Sequence, residues 1–224
     1  MKNCVRFLSM LMLFAAMPLS ACGAKTSRNS GVVPNSLQTI EAAAEDIIDF
    51  APSGNWDKIS TDVIDIADAW KTYQPQAGKD GASQELQDAM TSALIQLQTA
   101  SAAKDSAATM QASNDVSAAV VEMFALYDPK IPAEIGRLDV LERQVILDVA
   151  ANDYPAAMKS LTNTKSVWEK VKPSVLEHNG NDVAQEFETS LAAQESALNA
   201  KDAVALTNTA KNGLEIVDAL EQLY

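Results

Sequence analysis

The stretch WDKISTDVIDIADAWKTYQP, residues 56–75, decides the fold class of this chain. Its apolar residues follow a 3-4-3-4-3 spacing, at Trp56, Ile59, Val63, Ile66, Trp70 and Tyr73. On an α-helix this spacing places the apolar side chains along one stripe and the charged side chains on the opposite face. The stretch therefore predicts an amphipathic helix whose apolar stripe is buried against other helices.

The same pattern recurs 98 positions further along the chain. The second stripe consists of Tyr154, Ala157, Leu161, Thr164, Trp168 and Val171, and both copies end in W-x4-P. The correspondence extends outward: Pro34 matches Pro132 at the same offset, and with one residue dropped Tyr127 matches Tyr224. Because self-similarity at a fixed period indicates an internal duplication, we expect two helical repeats, residues 34–128 and 132–224.

A period of about half this length shows where helices begin. Asn or Asp residues stand 50, 48 and 49 positions apart, at Asn55, Asp105, Asp153 and Asp202. Their side chains can accept hydrogen bonds from the free N–H groups that open a helix, whereas the Pro- and Gly-containing segments 75–81, 129–132 and 173–180 predict breaks. The predicted helices are 35–51, 55–73, 83–102, 105–127, 133–151, 153–172, 182–199 and 202–223.

These patterns predict an all-α protein of eight helices. Four antiparallel helices of about 20 residues with short connections can close into an up-and-down bundle, so two tandem four-helix bundles are the preferred architecture. A continuous α-solenoid of helical hairpins is the alternative, because hairpins can also stack and share a core.

The N-terminus has the parts of a secretory signal. Lys2 and Arg6 give a basic start, and residues 7–19 form a mostly apolar run that is too short to span a membrane. The run closes in Leu19-Ser20-Ala21-Cys22, which resembles the lipobox of bacterial lipoprotein precursors. The resemblance implies that residues 1–21 are a signal peptide and that Cys22 is the lipidation site, diacylated on sulfur.

The lipoprotein resemblance also implies a location. Residues 22–33 would be the lipidated cysteine and a flexible tether that holds the folded body at the extracytoplasmic face of a membrane. In Gram-negative lipoproteins, Asp after the cysteine tends to retain the protein in the inner membrane. Gly23 stands there instead, which is compatible with the outer membrane in such a cell.

The charge balance excludes nucleic acid as a partner. Only four charged residues precede Pro34, and all are basic: Lys2, Arg6, Lys25 and Arg28. The body therefore keeps 13 of the 17 basic residues against all 30 acidic residues, a net charge of −17. Such a body repels phosphate backbones and anionic headgroups, and it favours a basic envelope protein as partner.

The sequence offers little catalytic chemistry. His178 is the only histidine, and it falls in the predicted break at residues 173–180. Cys4 leaves with the signal peptide and Cys22 carries lipid, so no thiol remains for a disulfide, a metal or a nucleophile. Phosphate-binding and nucleophile-elbow motifs are also missing from the sequence. We therefore predict a non-enzymatic protein without a cofactor or bound metal.

Two features of the sequence could bind a partner. Aromatic residues in the stripes are expected to be core anchors: Trp56, Trp70, Tyr73, Tyr154 and Trp168. Acidic residues crowd the first hairpin, and six of them share helical faces: Glu41, Glu45, Asp49, Asp62, Asp65 and Asp68. This acidic set is either a solvated face, a docking surface for a basic partner or a loose divalent-cation site.

Taken as a whole, the sequence predicts a lipid-tethered helical protein that acts as a binding or scaffolding module of the cell envelope. A helical bundle that sequesters a small ligand or metal for transport or redox is the alternative. A haem held by His178 and a methionine belongs to that alternative, although Met90, Met110, Met123 and Met158 are typical core residues. An enzyme that uses paired carboxylates in an interhelical cleft is a third hypothesis.

Overall fold

The computed structural model describes residues 32–224, and within them it is helical with no β-strand, which confirms the all-α class. The lipobox and Cys22 lie outside the described residues. The eight described α-helices are α1 (Asn35–Phe50), α2 (Trp56–Asp80), α3 (Gln84–Ala102), α4 (Ser106–Phe124), α5 (Ala133–Ala150), α6 (Tyr154–Glu177), α7 (Asn181–Ala200) and α8 (Ala203–Glu221). A short 3₁₀ turn, Ala51–Ser53, follows α1.

The predicted capping residues do open helices. In each case the side-chain oxygen accepts a hydrogen bond from the backbone N–H three residues later: Asn55 from Lys58, Asp105 from Ala108, Asp153 from Ala156 and Asp202 from Ala205. A free N–H at a helix N-terminus is satisfied in this way, which stabilises a helix by about 1 kcal/mol. The starts of α2, α4, α6 and α8 were therefore encoded locally.

The predicted breaks after the two tryptophans are wrong. Helix α2 continues through Pro75 to Asp80, and α6 continues through Pro173 to Glu177. A proline inside a helix costs about 3 kcal/mol because one backbone hydrogen bond is lost. The next turn of each helix buries an apolar residue completely, Ala77 in α2 and Val175 in α6, and this burial favours continued helix.

Within each repeat the helices contact one another in a closed cycle. Helix α1 packs against α2 and α4, and α3 also packs against both. In the second repeat α5 packs against α6 and α8, and α7 does the same. The buried apolar residues form one cluster between Leu37 and Tyr127 and a second between Ile135 and Leu220. Each repeat therefore has its own hydrophobic core, enclosed by its four helices.

The two tryptophans at the centre of the stripes occupy matching buried positions. Trp70 is 4% exposed and Trp168 is 1% exposed. The indole Nε1 of Trp70 donates to Thr91 Oγ1 at 3.3 Å, and that of Trp168 donates to Glu188 Oε1 at 3.3 Å. Thr91 and Glu188 correspond at the offset of 97 positions that relates the last two helices of each repeat. The prediction of core anchors is therefore confirmed for Trp70, Tyr73 and Trp168, whereas Trp56 and Tyr154 at the helix starts are only partly buried.

Candidate binding groove at the junction of the repeats

The predicted acidic residues of α1 face the second repeat. Glu41, Glu45 and Asp49 lie one helical turn apart, and Glu41 is half-buried while the other two are exposed. The carboxylate of Glu45 accepts a hydrogen bond from the guanidinium of Arg143 on α5, 2.8 Å away. Three of the six predicted site residues thus converge on the junction between the repeats.

The predicted acidic ladder on α2 does not exist as one exposed face. Asp65 and Asp68 are exposed, but Asp62 is only 2% exposed. The ammonium of Lys58 lies 2.5 Å from Asp62 Oδ1 and also bridges to Asp46 on α1 at 3.1 Å. Helix α2 turns Asp62 toward α1 because Ile59, Val63 and Ile66 on the same side enter the core.

Arg143 is the centre of a charged cluster that sequence reasoning missed. Its guanidinium contacts Glu45 on α1 and Asp139 on its own helix, the latter at 2.5 Å. Arg143 corresponds to Glu45 in the duplication, and Asp139 corresponds to Glu41. A residue that pairs with its own counterpart lies where the two repeats face each other symmetrically. The sequence contained a signal for this contact, because Glu45 and Arg143 carry opposite charges at matched positions of the two repeats.

Several carboxyl groups at this junction hold their protons more tightly than usual. Burial and, to a smaller extent, the neighbouring carboxylates of Glu45, Glu221 and Asp139 together raise the pKa of Glu41 to about 7. Burial likewise raises the pKa of Asp139 to about 7, against the opposing effect of Arg143. The pKa of Glu221 on α8 is raised by burial and by nearby carboxylates. The junction therefore concentrates more negative charge than its one central arginine compensates.

A groove of about 540 Å³ opens beside this cluster, between α1, α8 and the segment that connects the repeats. We call it the junction groove. Its apolar lining includes Val33, Val121, Phe124 and Ile131. Its charged lining consists of the carboxylates Glu41, Glu45 and Glu221, with the exposed Lys130 as the only basic lining residue among the described residues. An apolar floor with three acidic groups suits an amphipathic cationic ligand.

The other helix pair of the junction is α4 and α5, whose residues Val121 and Gly136 also line the groove. Hydrogen bonds close the contact between these two helices. Gln111 and Gln144 exchange two bonds of 2.9 and 3.0 Å, and Asn114 Nδ2 donates to the carbonyl of Val140. The guanidinium of Arg137 on α5 makes two bonds, of 2.6 and 2.8 Å, to the carboxylate of Glu122 on α4. We call this contact the sealed side.

Small residues let the helices of the sealed side approach closely. A Cβ atom on Gly136 would lie only 3.0 Å from a methyl group of Val121. On the other side of the junction the corresponding positions are Gln38 on α1 and Asp218 on α8. Both of these side chains are polar and exposed, and α1 does not pack against α8 as α5 packs against α4.

A second buried carboxyl group lies inside the core of the second repeat. Glu142 is fully buried, and burial raises its pKa to about 8. Its Oε1 accepts a hydrogen bond of 3.0 Å from Gln194, while its Oε2 has no partner among the described residues. Both oxygens lie over Gly213, where an added Cβ atom would meet them at 2.8 and 3.0 Å. Glu142 is enclosed and is therefore not part of the groove.

The remaining predicted sites lack converging ligands. The ring of His178, which caps the C-terminus of α6, is exposed and stacks on Tyr224 with ring centres 4.3 Å apart. Met90 and Met123 are core residues, whereas Met158 is half exposed. Among residues 32–224, no group of three or more His, Cys, Asp or Glu side chains is arranged to hold a metal ion.

A second open groove, of about 700 Å³, runs between α7 and α8. Its lining is mostly uncharged and polar, with Gln185, Thr189, Asn208 and Asn212 among its residues. The junction groove is the better candidate because it combines an apolar floor with carboxyl groups of raised pKa, a combination typical of functional sites.

Comparisons with known proteins identify no relative of this chain. No family model matches it, and neither the curated proteins nor the solved structures contain a significant match. Within the described part of the chain, every helix is too short or too polar to cross a lipid bilayer.

Proposed function

We propose that this protein is a non-enzymatic, lipid-anchored module of the cell envelope that binds a basic partner protein in the junction groove. The observation that carries the proposal is the groove itself, where α1 and α8 place three carboxylates around an apolar floor. A basic amphipathic segment would bury its apolar side chains on this floor and pair its cations with the carboxylates.

Electrostatics supports a basic partner over an acidic one. The body of the chain carries a net charge of −17, and the junction adds carboxylates that crowd one another. A cation that enters the groove relieves this repulsion, whereas an anion increases it. We therefore expect association to be fast at low salt and slower as salt screens the field.

The proposed anchor places the groove close to a membrane. Val33 lines the groove and lies 11 positions after Cys22. A chain of that length spans at most about 40 Å, at roughly 3.5 Å per residue. A lipid on Cys22 would therefore keep the groove within reach of a partner in or on the same membrane.

The anchor is tested by Cys22→Ala. We expect the variant to lose metabolic acyl labelling and to leave the membrane fraction, with uncleaved precursor accumulating. Ser20→Thr, which keeps the cysteine, is the matched control and should be labelled like the wild type. Acyl labelling that persists in the cysteine variant would contradict the proposal.

Docking is tested in intact cells with a photo-crosslinking residue in place of Gln38, which lines the groove, or of Asp65 on α2. We expect a discrete protein adduct from position 38 and none from position 65. Glu41→Gln with Glu221→Gln should abolish the adduct from position 38. The matched control, Asp65→Asn with Asp68→Asn, removes two exposed carboxylates elsewhere and should leave it unchanged. Equal adducts under both pairs of substitutions would refute groove docking.

A further inference from the structure

We propose that the junction groove contains a subsite for one arginine side chain of the partner, held between Glu41 on α1 and Glu221 on α8. This inference rests on the proposed function and specifies the chemistry of the residue that docks there. It follows from comparing the groove with the sealed side of the same junction.

Because the sequence is duplicated, the helix pair on one side of the junction corresponds to the helix pair on the other side. Glu45 contacts its counterpart Arg143, so the α1–α8 side corresponds to the α5–α4 side. On the sealed side Arg137 bridges α5 to Glu122 on α4. The counterparts of Arg137 and Glu122 on the open side are Thr39 and Ala219, which cannot form such a bridge. The open side therefore lacks the arginine that its counterpart possesses.

Among the described residues, two carboxyl groups on the open side form no direct ion pair. The charged residues on this side are Glu41, Glu45 and Asp49 on α1, Asp139 and Arg143 on α5, Asp218 and Glu221 on α8, and Lys130 in the connecting segment. The carboxyl group of Glu142, near Asp139, is enclosed in the core. Within the described part of the chain, the cation at the centre of the cluster is Arg143, whose Nη2 is already bonded to Glu45 and Asp139. Glu41 and Glu221 both line the groove, and the Glu221 carboxylate helps to raise the pKa of Glu41.

Arginine fits this position better than lysine or a metal ion. A planar guanidinium has donors on several edges and can bond to two carboxylates at once, whereas an ammonium acts as a compact point charge. The aliphatic stem of an arginine can lie along apolar lining such as Phe124 and Val33. The described residues here offer no set of three metal ligands.

Binding of the guanidinium should displace protons. At neutral pH Glu41 is partly protonated, because burial and its carboxylate neighbours favour the neutral form. An arginine between Glu41 and Glu221 favours both charged forms instead. Docking of an arginine is therefore linked to proton release, and docking of a neutral side chain of the same shape is not.

The experiment uses the full lipidated chain in a neutral detergent and three synthetic peptides of sequence Leu-X-Ala-Leu-X-Ala-Leu, where X is arginine, lysine or citrulline. Isothermal titration calorimetry at pH 7 is run in phosphate and in Tris, whose ionisation enthalpies differ. We expect the arginine peptide to bind at least tenfold more tightly than the citrulline peptide and several-fold more tightly than the lysine peptide. The binding enthalpies measured in the two buffers should differ, and the difference should correspond to the release of up to about half a proton per bound peptide. The released proton comes from Glu41, whose pKa is about 7.

Variants locate the subsite. Glu41→Gln should abolish the proton release and weaken the arginine peptide at least fivefold, and Glu221→Gln should weaken it similarly. Asp65→Asn, which removes one exposed carboxylate on α2, should change neither quantity. Circular dichroism at the titration temperature verifies that each variant is folded.

Each contrary outcome overturns the proposal in a distinct way. Equal affinity for arginine and lysine peptides, with both weakened by Glu41→Gln, would overturn the arginine subsite and leave basic docking intact. Proton release that persists in Glu41→Gln would place the linked group elsewhere. Tighter peptide binding after Lys25→Gln with Arg28→Gln would show that the chain's own basic segment occupies the groove instead of a partner.

Discussion

The two sides of the repeat junction correspond in the duplicated sequence, yet only one of them is closed. On the sealed side, Gly136 and the polar pairs of α4 and α5 allow direct helix contact. On the open side, the counterparts place Gln38, Asp218 and crowded carboxylates between α1 and α8. Duplication of a helical unit creates two similar contact surfaces, and a few side chains decide which of them is available to a partner.

The cores of the two repeats differ at three matched positions that lie next to one another in the second repeat. Where the first repeat buries Ala44, Leu97 and Val116, the second buries Glu142, Gln194 and Gly213. The longer Glu142 side chain fits only because Gly213 has none, and Gln194 supplies its hydrogen bond. The change is therefore coupled across three helices, as close packing requires.

The largest expected effect tests whether the repeats are equivalent at their centres. Trp70→Ala and Trp168→Ala should each lower the free energy of unfolding by about 3–5 kcal/mol, because each removes a buried indole and leaves a cavity. Urea titration followed by circular dichroism measures both. Trp56→Ala, at a half-buried site, should cost less. A loss below about 1 kcal/mol at either central tryptophan would break the equivalence of the repeats.

The next effect concerns the pH dependence that distinguishes the second core from the first. The pKa of Glu142 is raised from 4.5 to about 8 in the folded chain, so the folded state binds the proton more tightly than the unfolded state. Its contribution to stability is complete below pH 4.5 and is lost as the pH rises toward 8, a decline of a few kcal/mol in order of magnitude.

Glu142→Gln is the variant that isolates this contribution, because Glu41 and Asp139 also titrate in part of the same range. Denaturant midpoints measured between pH 5 and pH 8.5 should fall less steeply for the variant than for the wild type. Parallel curves for the two proteins would show that Glu142 is not the group responsible.

A smaller effect tests the coupling of the three core positions. Gly213→Val should destabilise the chain by about 1–3 kcal/mol, because even its Cβ atom would approach the Glu142 carboxyl to 2.7 Å. Adding Glu142→Ala and Gln194→Leu reproduces the residues of the first core and should recover most of the loss. Thermal unfolding of the single, double and triple variants measures the coupling. A neutral effect of Gly213→Val alone would contradict it.

The smallest change in stability is expected from closing the open side. Thr39→Arg with Ala219→Glu places the ion pair of the sealed side into the groove, and its effect on unfolding should stay below about 1 kcal/mol because the site is partly exposed. The crosslinked adduct from position 38 should nevertheless disappear. Thr39→Gln with Ala219→Gln is the uncharged control. A persistent adduct in the charged variant would show that the groove is not the docking surface.

Much of the fold could be predicted from local patterns, whereas the candidate site could be predicted only in part. The stripe periodicity and the capping residues Asn55 and Asp153 located the helices because both act within a few residues of the chain. The α1 carboxylates were identified from their spacing. Their partners Asp139 and Arg143 were missed, because no local rule indicates which surface of one repeat meets the other.

The sequence by itself determined the helical class, the duplication and the buried tryptophans, since apolar periodicity specifies which face of a helix must leave water. Only the tertiary structure decided that α2 continues past Pro75, that Asp62 is enclosed beside Lys58, and that Glu41 and Glu221 share a groove. These outcomes depend on which helix lies opposite each residue. Burial and charge contact are properties of that pairing, and a local sequence pattern does not contain them.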